Sequence, residues 1–299
     1  MRSIDWKVLE RLRTGFLDGS AGTADYWQSE RDLENYDQTF AQRIGWKWDY
    51  VLGELKHRGW SPPSGSALDW GCGTGIASRK FLEHFTGIRR LYLCDRSPLA
   101  MKFAAQQAHD VEVWQESAPP RSVDVLLISH ALTEQPEPFA LPCDAKAVII
   151  LEPGTFEVSR RLITLRERLR GEFNVVAPCT HQHACGMLAA GNERHWCHHF
   201  ASPPPEVFMD GDWARFAKLA GIDLRSLPVS YLALDRRPAQ SGGMRLIGRP
   251  RVYKAHALAL GCDGSGVRER RVEKRVEPEL YRKLKKRTAD SLWPETKAP

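Results

Sequence analysis

The stretch Asp69-Trp70-Gly71-Cys72-Gly73-Thr74-Gly75 decides the fold. The short apolar segment 67–70 leads into it, and a helix predicted to run to about Phe85 follows it. Glycines let the backbone turn tightly and approach a ligand closely, and the N-terminus of a helix presents free N–H groups. Isoleucine occupies position 76, where the dinucleotide-binding fingerprint G-x-G-x-x-G requires glycine. The loop therefore predicts a ligand site of another class, between a strand and a helix.

A repeated strand–helix rhythm surrounds this loop. Unbroken apolar segments predict five strands, at 67–70, 91–95, 111–114, 123–129 and 145–152. One of the helices between them begins at Ser97-Pro98, which suits an N-cap followed by the first helical position. Apolar strands separated by helices indicate a parallel sheet covered on both faces. Segments 229–235 and 252–260 are predicted to form an antiparallel pair that closes the edge of this sheet.

The glycine loop resembles the D/E-x-G-x-G-x-G motif of class I methyltransferases, which implies S-adenosylmethionine as the cofactor. Such enzymes place an acid that accepts the ribose hydroxyls at the end of the second strand, where this chain has Asp95. Asp69 is then expected near the methionine end of the cofactor. The predicted cofactor-binding residues are Asp69, Gly71, Cys72, Gly73, Thr74, Gly75, Asp95, Arg96, Ser129 and His130.

No familiar motif marks the catalytic side of this predicted site. Many amino-group methyltransferases carry N/D-P-P-Y after the fourth strand, whereas positions 129–134 here read SHALTE. His130 and Glu134 are the candidate catalytic residues. His130 could act as a base or contact the cofactor, and a histidine that caps or packs the loop is an equally good interpretation. Pro178-Cys179 has the residues used by cytosine-5 RNA methyltransferases, but it follows the fifth strand and its helix, which is the wrong place.

Four cysteines lie in polar, Gly- or His-rich surroundings, at Cys179, Cys185, Cys197 and Cys262. Residues 1–15 show no h-region of a signal peptide, so reduced thiols and a metal are expected rather than disulfides. The paired Cys-x2–4-Cys knuckles of structural zinc are absent, and four scattered thiolates suit an iron–sulfur cluster. A mixed Cys/His zinc site stays open because five histidines lie nearby, at positions 181, 183, 195, 198 and 199.

Positive charge is concentrated toward the C-terminus. Residues 245–299 contain 15 Lys+Arg and 7 Asp+Glu, a formal +8, so the first 244 residues carry −2 of the net +6. Such a run is often only a solvated helix face. A tail this basic on a nearly neutral body favours contact with a polyanion, because Lys and Arg displace counterions from phosphates.

Most of the chain from the glycine loop onward resembles the methyltransferase-like assembly proteins of the mitochondrial small ribosomal subunit and their bacterial relatives. The resemblance rests on segments at 152–154 (EPG), 159–162 (SRRL), 175–181 (VVAPCTH), 196–200 (WCHHF), 230–236 (SYLALDR), 249–262 (RPRVYKAHALALGC) and 281–294 (YRKLKKRTADSLWP). It implies a [4Fe-4S] cluster on Cys179, Cys185, Cys197 and Cys262, with zinc as the alternative. It also implies binding to small-subunit ribosomal RNA during assembly, with methyl transfer as an open question.

These patterns together predict an α/β protein of the class I methyltransferase (Rossmann-like) fold, with a parallel sheet and antiparallel edge strands. The predicted parts are an N-terminal helical region (1–60), the cofactor-binding domain (61–260) with a cysteine-ligated metal insertion (177–200), and a basic extension (261–299). The predicted function is an S-adenosylmethionine-binding, iron–sulfur ribosome assembly factor or rRNA methyltransferase. The alternative is a small-molecule methyltransferase with structural zinc.

The expected setting of the protein follows from the same features. No apolar run approaches the ~20 residues of a membrane span, so no membrane partner is expected. The free protein is predicted to be a monomer. The location expected is the cytoplasm of a bacterium, which we favour, or the mitochondrial matrix of a eukaryote.

Overall fold

The computed structural model describes residues 4–18 and 26–293. The chain forms two compact units: unit 1 is Met1–Glu152 with Ala201–Leu227, and unit 2 is Pro153–Phe200 with Pro228–Pro299. Residues 1–3 and 19–25 of the predicted helical region and residues 294–299 of the predicted basic extension lie outside the described residues. Among the helices that are described, none has the length and apolar character needed to cross a membrane.

Unit 1 is built on a parallel sheet. Its strands, numbered in chain order, are β1 (Gly65–Trp70), β2 (Ile88–Cys94), β3 (Glu112–Gln115), β4 (Ser122–Ser129) and β5 (Asp144–Pro153). They are arranged in the order β3-β2-β1-β4-β5, and each neighbouring pair is parallel. The helices of this unit are α1 (Trp6–Asp18), α2 (Glu30–Tyr36), α3 (Gln42–His57), α4 (Ile76–His84), α5 (Pro98–Gln107) and α7 (Gly211–Ala220). The predicted mixture of helices and parallel strands is confirmed.

Apolar burial explains why these segments form a central sheet. Residues 125–128 of β4 and 147–151 of β5 are fully buried, as expected for strands covered on both faces. Ser97 caps α5 by accepting a hydrogen bond from the Ala100 amide, and Pro98 is the first helical residue. Each parallel strand therefore ends at the same edge of the sheet, where the glycine loop follows β1.

The N-terminal helices belong to unit 1. A five-residue π-helical turn, Asp37–Ala41, joins α2 directly to α3. Helix α3 buries an apolar face, since Trp48, Val51 and Leu55 have no exposed surface. A second apolar cluster joins Trp46 to α7, whose Trp213 lies 4.9 Å from the Trp46 ring.

Unit 2 contains two helices, a group of three paired strands and a separate antiparallel sheet. Its helices are α6 (Phe156–Leu169) and α8 (Pro278–Lys286). β6 (Asn174–Ala177) pairs antiparallel with β8 (Leu227–Asp235), and β7 (His199–Ala201) also pairs with β8. The separate sheet has the order β11-β10-β9-β12, with bounds β9 (Met244–Val252), β10 (His256–Asp263), β11 (Gly266–Glu273) and β12 (Leu292–Trp293).

The predicted antiparallel pair of segments 229–235 and 252–260 is wrong. The first segment lies in β8, which pairs with β6 and β7, whereas the second spans the end of β9, the turn after it and the first five residues of β10, all in the separate sheet. β10 pairs with β9 on one side and β11 on the other. The physical reason is that alternation identifies a strand but not its partner, and a tight hairpin gave β10 a nearer neighbour than β8.

Candidate functional site

The glycine loop connects β1 to α4 and has the backbone that the sequence requires. Gly73 and Gly75 have φ values of 51° and 75°, in the left-handed region that favours glycine. A Cβ on Gly75 would lie 2.9 Å from the Ala104 Cβ, so close contact with α5 requires glycine there. A Cβ on Gly73 would meet no atom within 4 Å. Gly73 therefore leaves open space beside the loop, which is where a ligand can approach its backbone.

Asp95, which follows β2, holds this loop in place. Its Oδ2 accepts a hydrogen bond from the Gly73 amide at 2.9 Å, and its Oδ1 accepts one from the Ser97 amide at 2.9 Å. The carboxylate thus ties the glycine loop to the start of α5. The predicted contact between Asp95 and a ribose stays a prediction, and the geometry adds a positioning role that the motif did not reveal.

Buried polar atoms lie behind the same loop. Asp69 has no exposed surface, and its Oδ2 accepts a hydrogen bond from the Ser78 amide at 3.1 Å. Burial raises the pKa of Asp69 to about 7, against the opposing effect of the Ser78 hydrogen bonds. Asp69 Oδ1 and Thr74 Oγ1 are buried without a hydrogen-bond partner among the described residues. Orphaned polar atoms at an open glycine loop fit a bound polar ligand such as S-adenosylmethionine.

Cys72 and Arg96, the other predicted cofactor residues of this region, differ in setting. Cys72 is buried, and burial holds the pKa of its thiol well above the usual range. Arg96 forms an ion pair with Glu134 at 3.4 Å, and its guanidinium lies 5.3 Å from the centre of the Tyr26 ring. Burial raises the pKa of Glu134, although Arg96 opposes this shift. The structure therefore brings a candidate catalytic residue and a candidate cofactor residue into one ion pair.

Helix α3 brings a lysine to the carboxyl end of β4. Trp48 Nε1 donates a hydrogen bond to Ser129 Oγ at 3.0 Å, which fixes the helix against the end of this strand. The neighbouring Lys47 is buried. Burial, followed by the nearby charge of Arg43, lowers the pKa of Lys47 to about 7, although Glu152 opposes the shift. Such an amine is partly neutral near pH 7 and able to accept a proton.

His130 lies in the same region in a strained backbone conformation. Its φ is 56°, which non-glycine residues seldom adopt. Its Nε2 is buried and has no hydrogen-bond partner among the described residues. Burial and the charges of Lys47 and Arg43 hold the pKa of His130 well below its usual range, so the imidazole is neutral. A neutral imidazole beside a partly neutral amine is suited to proton transfer.

The four predicted metal-binding cysteines all lie in unit 2. Cys179 follows β6, Cys185 precedes a short 3-10 turn, Cys197 precedes β7, and Cys262 lies in β10. The last three pack in one apolar cluster with Ile163, Met187 and Ile247. The structure therefore gathers thiols that are separated by as many as 83 positions in the sequence.

Arg166, on α6, connects Cys179 to this cluster. Its Nε donates to the Cys179 sulfur at 3.3 Å, and its Nη2 donates to the His183 carbonyl at 2.9 Å. The side chain is almost fully buried and forms an ion pair with Glu167. Glu167 in turn accepts a hydrogen bond from the Cys185 amide at 3.1 Å. A buried guanidinium against a sulfur stabilises the negative charge of a thiolate.

Electrostatic coupling links the thiols. Burial raises the pKa of Cys197 well above its usual range, and the charges of Cys179, Cys185 and Cys262 raise it further. The pKa of Cys262 rises to about 12, first because of burial and then because of Cys179 and Cys185. Four thiolates so close to one another repel, and a bound cationic centre would remove that repulsion.

The histidines of this region divide into two groups. His181 Nε2 lies 3.6 Å from the Cys262 sulfur, and His199 Nε2 lies 3.7 Å from the Cys197 sulfur. His198 instead stacks on Trp196, at 4.5 Å between ring centres. Over residues 4–18 and 26–293, no group of three or more His, Cys, Asp or Glu side chains is arranged to hold a single metal ion. The predicted metal insertion is therefore not established by the geometry.

A four-iron cluster places a different demand on its ligands than a single ion does. Each thiolate binds its own iron, so the four sulfurs surround a large cluster instead of converging on one point. Four cysteine thiolates are the usual ligands of such a cluster, so the donor set is chemically compatible with one. The geometry of the described residues does not distinguish this cluster from a zinc ion.

The two units differ sharply in charge. Residues 153–200 and 228–299 contain 23 Lys+Arg and 12 Asp+Glu, a formal +11, whereas the remaining residues contain 20 and 25, a formal −5. Residues 245–299 carry +8 of this +11, so the positive charge is concentrated in the predicted tail and the rest of unit 2 adds +3. A surface of that charge attracts polyanions over distances of about a Debye length, ~10 Å in moderate salt.

Comparison with known proteins identifies one family and several solved structures of low sequence identity. The family model described as mitochondrial small ribosomal subunit Rsm22 matches residues 49–294. No curated protein matches the chain significantly.

Solved structures with some likeness include three methyltransferases. The plantazolicin methyltransferase BpumL, solved with a triazolic desmethylPZN analog and SAH, is 14% identical, covering 78% of this chain and 100% of its own, with a TM-score of 0.43. A putative RNA methyltransferase from Pyrococcus horikoshii is 14% identical, covering 70% and 85%, with a TM-score of 0.36. TrmK from M. capricolum, solved with S-adenosyl-homocysteine, is 8% identical, covering 64% and 70%, with a TM-score of 0.36. Likeness at this level carries no information about reaction or substrate.

Proposed function

Since this chain belongs to the Rsm22 family of the mitochondrial small ribosomal subunit, we propose that it binds small-subunit ribosomal RNA during subunit assembly. The observation that carries this proposal is the formal charge of +11 on unit 2, against −5 on unit 1. Binding to a polyanion through several Lys and Arg side chains releases counterions, so affinity falls steeply with salt. The compartment that follows from the family description is the mitochondrial matrix. The bacterial cytoplasm that the sequence analysis favoured gains no support from the comparisons.

RNA binding is tested by measuring the affinity for a small-subunit rRNA transcript at several salt concentrations. We expect log Kd to change linearly with log salt, with a slope that reports several neutralised phosphates. Two exposed arginines of unit 2, Arg251 and Arg271, are to be changed to Gln, and this should lower both affinity and slope. The matched control changes Lys102 and Arg215 of unit 1, which are also exposed. Weak binding without salt dependence would favour a small-molecule methyltransferase.

S-adenosylmethionine is the proposed ligand of the loop from Asp69 to Gly75. The support is the open space beside Gly73 and the buried unpartnered atoms of Asp69 and Thr74. When bound, this cofactor supplies an electrophilic methyl group. The loop backbone would bind it, and Asp95 would hold that loop in position.

An iron–sulfur cluster is the proposed occupant of the four cysteines. The support is their gathering in unit 2 and the buried Arg166 against Cys179. Protein purified without oxygen should contain iron and sulfide in equal amounts, and Cys262→Ser should lose both and lower the melting temperature. The control Cys143→Ser, at a cysteine of unit 1 outside the group, should keep the cluster. Zinc without sulfide would establish the alternative, a structural zinc site.

Methyl transfer is a second candidate function, and the observation that favours it is the buried Lys47, whose pKa is lowered to about 7. Its neutral amine would accept the proton that an N–H or O–H acceptor loses as its nitrogen or oxygen binds the methyl group. Transfer of a tritiated methyl group to small-subunit RNA precursors tests this role. Transfer that is lost in Lys47→Met, with cofactor binding kept, would support it. No transfer by a protein that binds both cofactor and RNA would leave assembly as the function.

A further inference from the structure

The segment that carries Cys197 presents a different face on alternate residues. Cys197 packs in the apolar cysteine cluster and His199 is buried against the Tyr231 ring. Trp196, His198 and Phe200 alternate with them and are all partly exposed. Extended backbone sends successive side chains to opposite faces, so these three rings share one face of unit 2.

The rings on this face continue into neighbouring residues and form a ladder with an arginine at each end. From one end to the other, the ladder consists of Arg160, Phe156, Trp196, His198, Phe200 and Arg249. The Arg160 guanidinium lies 5.3 Å from the centre of the Phe156 ring, and the Arg249 guanidinium lies 3.9 Å from the centre of the Phe200 ring. Between them, Trp196 and His198 are stacked with 18° between their planes, whereas the Phe156–Trp196 and His198–Phe200 contacts are edge to face, at 75° and 74°. Rings and guanidinium groups thus succeed one another along the surface, and the face of Phe156 is not covered by Trp196.

Hydrogen bonds and close packing fix the ladder. Trp196 Nε1 donates to the Gly154 carbonyl at 3.1 Å, and Arg160 Nη1 donates to the Met187 carbonyl at 2.6 Å. The backbone of Gly248 lies directly against the His198 ring, where a Cβ would be 2.9 Å from two ring atoms. These constraints hold the planes in place before any ligand arrives, which lowers the entropy lost on binding.

We propose that this ladder, from Arg160 to Arg249, is a stacking surface for the unpaired bases of a single-stranded RNA segment. The inference rests on the proposed RNA-binding function and names the surface that carries it. Phe156 is 37% exposed, so part of its ring is accessible to a base. Every nucleobase has an aromatic face that stacks on rings and on arginine planes. The terminal arginines and the net charge of +11 on unit 2 suit the phosphates of the same strand.

The test compares two probes that differ only in their bases. One is a short oligouridine, and the other is an abasic ribose–phosphate chain of the same length. The test variant combines Phe156→Leu with Arg160→Lys, which keeps the apolar bulk and the charge but removes both planes. We expect roughly tenfold weaker binding of oligouridine. Binding of the abasic chain and the salt dependence should stay unchanged, because no charge is lost.

The control variant is Phe208→Leu, which removes a more exposed phenylalanine from unit 1. It should bind both probes like the wild type. A second variant, Arg249→Lys, tests the other end of the ladder and should also weaken only oligouridine binding. Melting curves and iron content confirm that each variant is folded and holds its cluster.

The outcomes separate this inference from the function it rests on. If the wild type binds rRNA and oligouridine but the test variant binds oligouridine equally well, the ladder is not a stacking surface and the RNA-binding function stands. Equal binding of oligouridine and the abasic chain by the wild type overturns the inference in the same way. If the wild type does not bind rRNA at all, the proposed function itself fails.

Discussion

Replacing Gly73 with alanine separates ligand binding from stability, because the loop needs its glycines for different reasons. The φ of 51° at Gly73 costs an alanine about 1–2 kcal/mol, the usual penalty for an L-residue in the left-handed region. No atom lies within 4 Å of the added Cβ, so no steric cost follows in the free protein. The free energy of unfolding should therefore fall by about 1–2 kcal/mol. The methyl group occupies the open space that a cofactor needs, and affinity for S-adenosyl-homocysteine should fall at least about tenfold.

Gly75→Ala provides the contrast. Its Cβ would lie 2.9 Å from the Cβ and 3.2 Å from the Cα of Ala104, so overpacking is added to the backbone strain. The summed cost is about 2–5 kcal/mol. Gly53→Ala on α3 is the control, since nothing lies near its Cβ and alanine stabilises a helix by about 0.5–1 kcal/mol.

The assay combines urea unfolding with calorimetric titration of S-adenosyl-homocysteine. Gly73→Ala should lose more binding than stability, and Gly75→Ala should lose stability first. If Gly73→Ala binds S-adenosyl-homocysteine like the wild type, the open space beside this residue is not the ligand's site. The assignment of the loop to the cofactor would then be wrong.

Two further predictions concern buried charges. Because the pKa of Lys47 is lowered to about 7, the unfolded state binds more protons above that pH, and wild-type stability should rise with pH toward the ordinary lysine value of about 10.4. Lys47→Met should remove that rise, and its free energy of unfolding at pH 7 or below should exceed that of the wild type by about 1–4 kcal/mol. Urea unfolding of both proteins across this pH range measures the difference. If the stability of the two proteins changes with pH in parallel, the pKa of Lys47 is not lowered. Arg166→Met removes the buried donor to Cys179 and should lower iron and sulfide content, whereas Arg168→Met, an exposed neighbour on α6, should not; equal content in both would show that the guanidinium does not support the cluster.

The parallel sheet of unit 1 was predictable because its central strands β4 and β5 are mostly apolar and buried, and helices separate β1 from β2 and β2 from β3. Apolar strands of this kind are typical of a parallel sheet covered on both faces. The second sheet was not predictable in the same way. β9 contains Gly248 and Pro250 and ends in the exposed Arg251 and Val252, so its periodicity is obscured. Because the sequence does not reveal β9, the segment containing the start of β10 was predicted to pair with β8.

The candidate site shows the same division between local and distant information. The turn at Gly73 and Gly75 and the capping of α5 depend on neighbouring residues and follow from local sequence. Lys47 gave no signal, because a lysine on an amphipathic helix is usually solvated. Its burial depends on the contact of Trp48 with Ser129, which lies 81 positions away. A group whose chemistry depends on contacts between residues so far apart in the sequence cannot be predicted from motifs or periodicity.

Electrostatics also bears on whether the cofactor's methyl group reaches an RNA. A polyanion is attracted to unit 2 at a formal +11 and repelled by unit 1 at −5, although unit 1 contains the glycine loop. RNA affinity should therefore be set by unit 2 and not require the cofactor. A nucleobase that reacts in unit 1 would have to overcome that repulsion locally. The cations near the carboxyl end of β4 include Lys47 and Arg43, and burial lowers the pKa of both. A lysine that is half neutral at pH 7 is a poor phosphate anchor but a competent proton acceptor. The chemistry of unit 1 is thus better matched to a nucleophilic N–H or O–H group than to the RNA backbone.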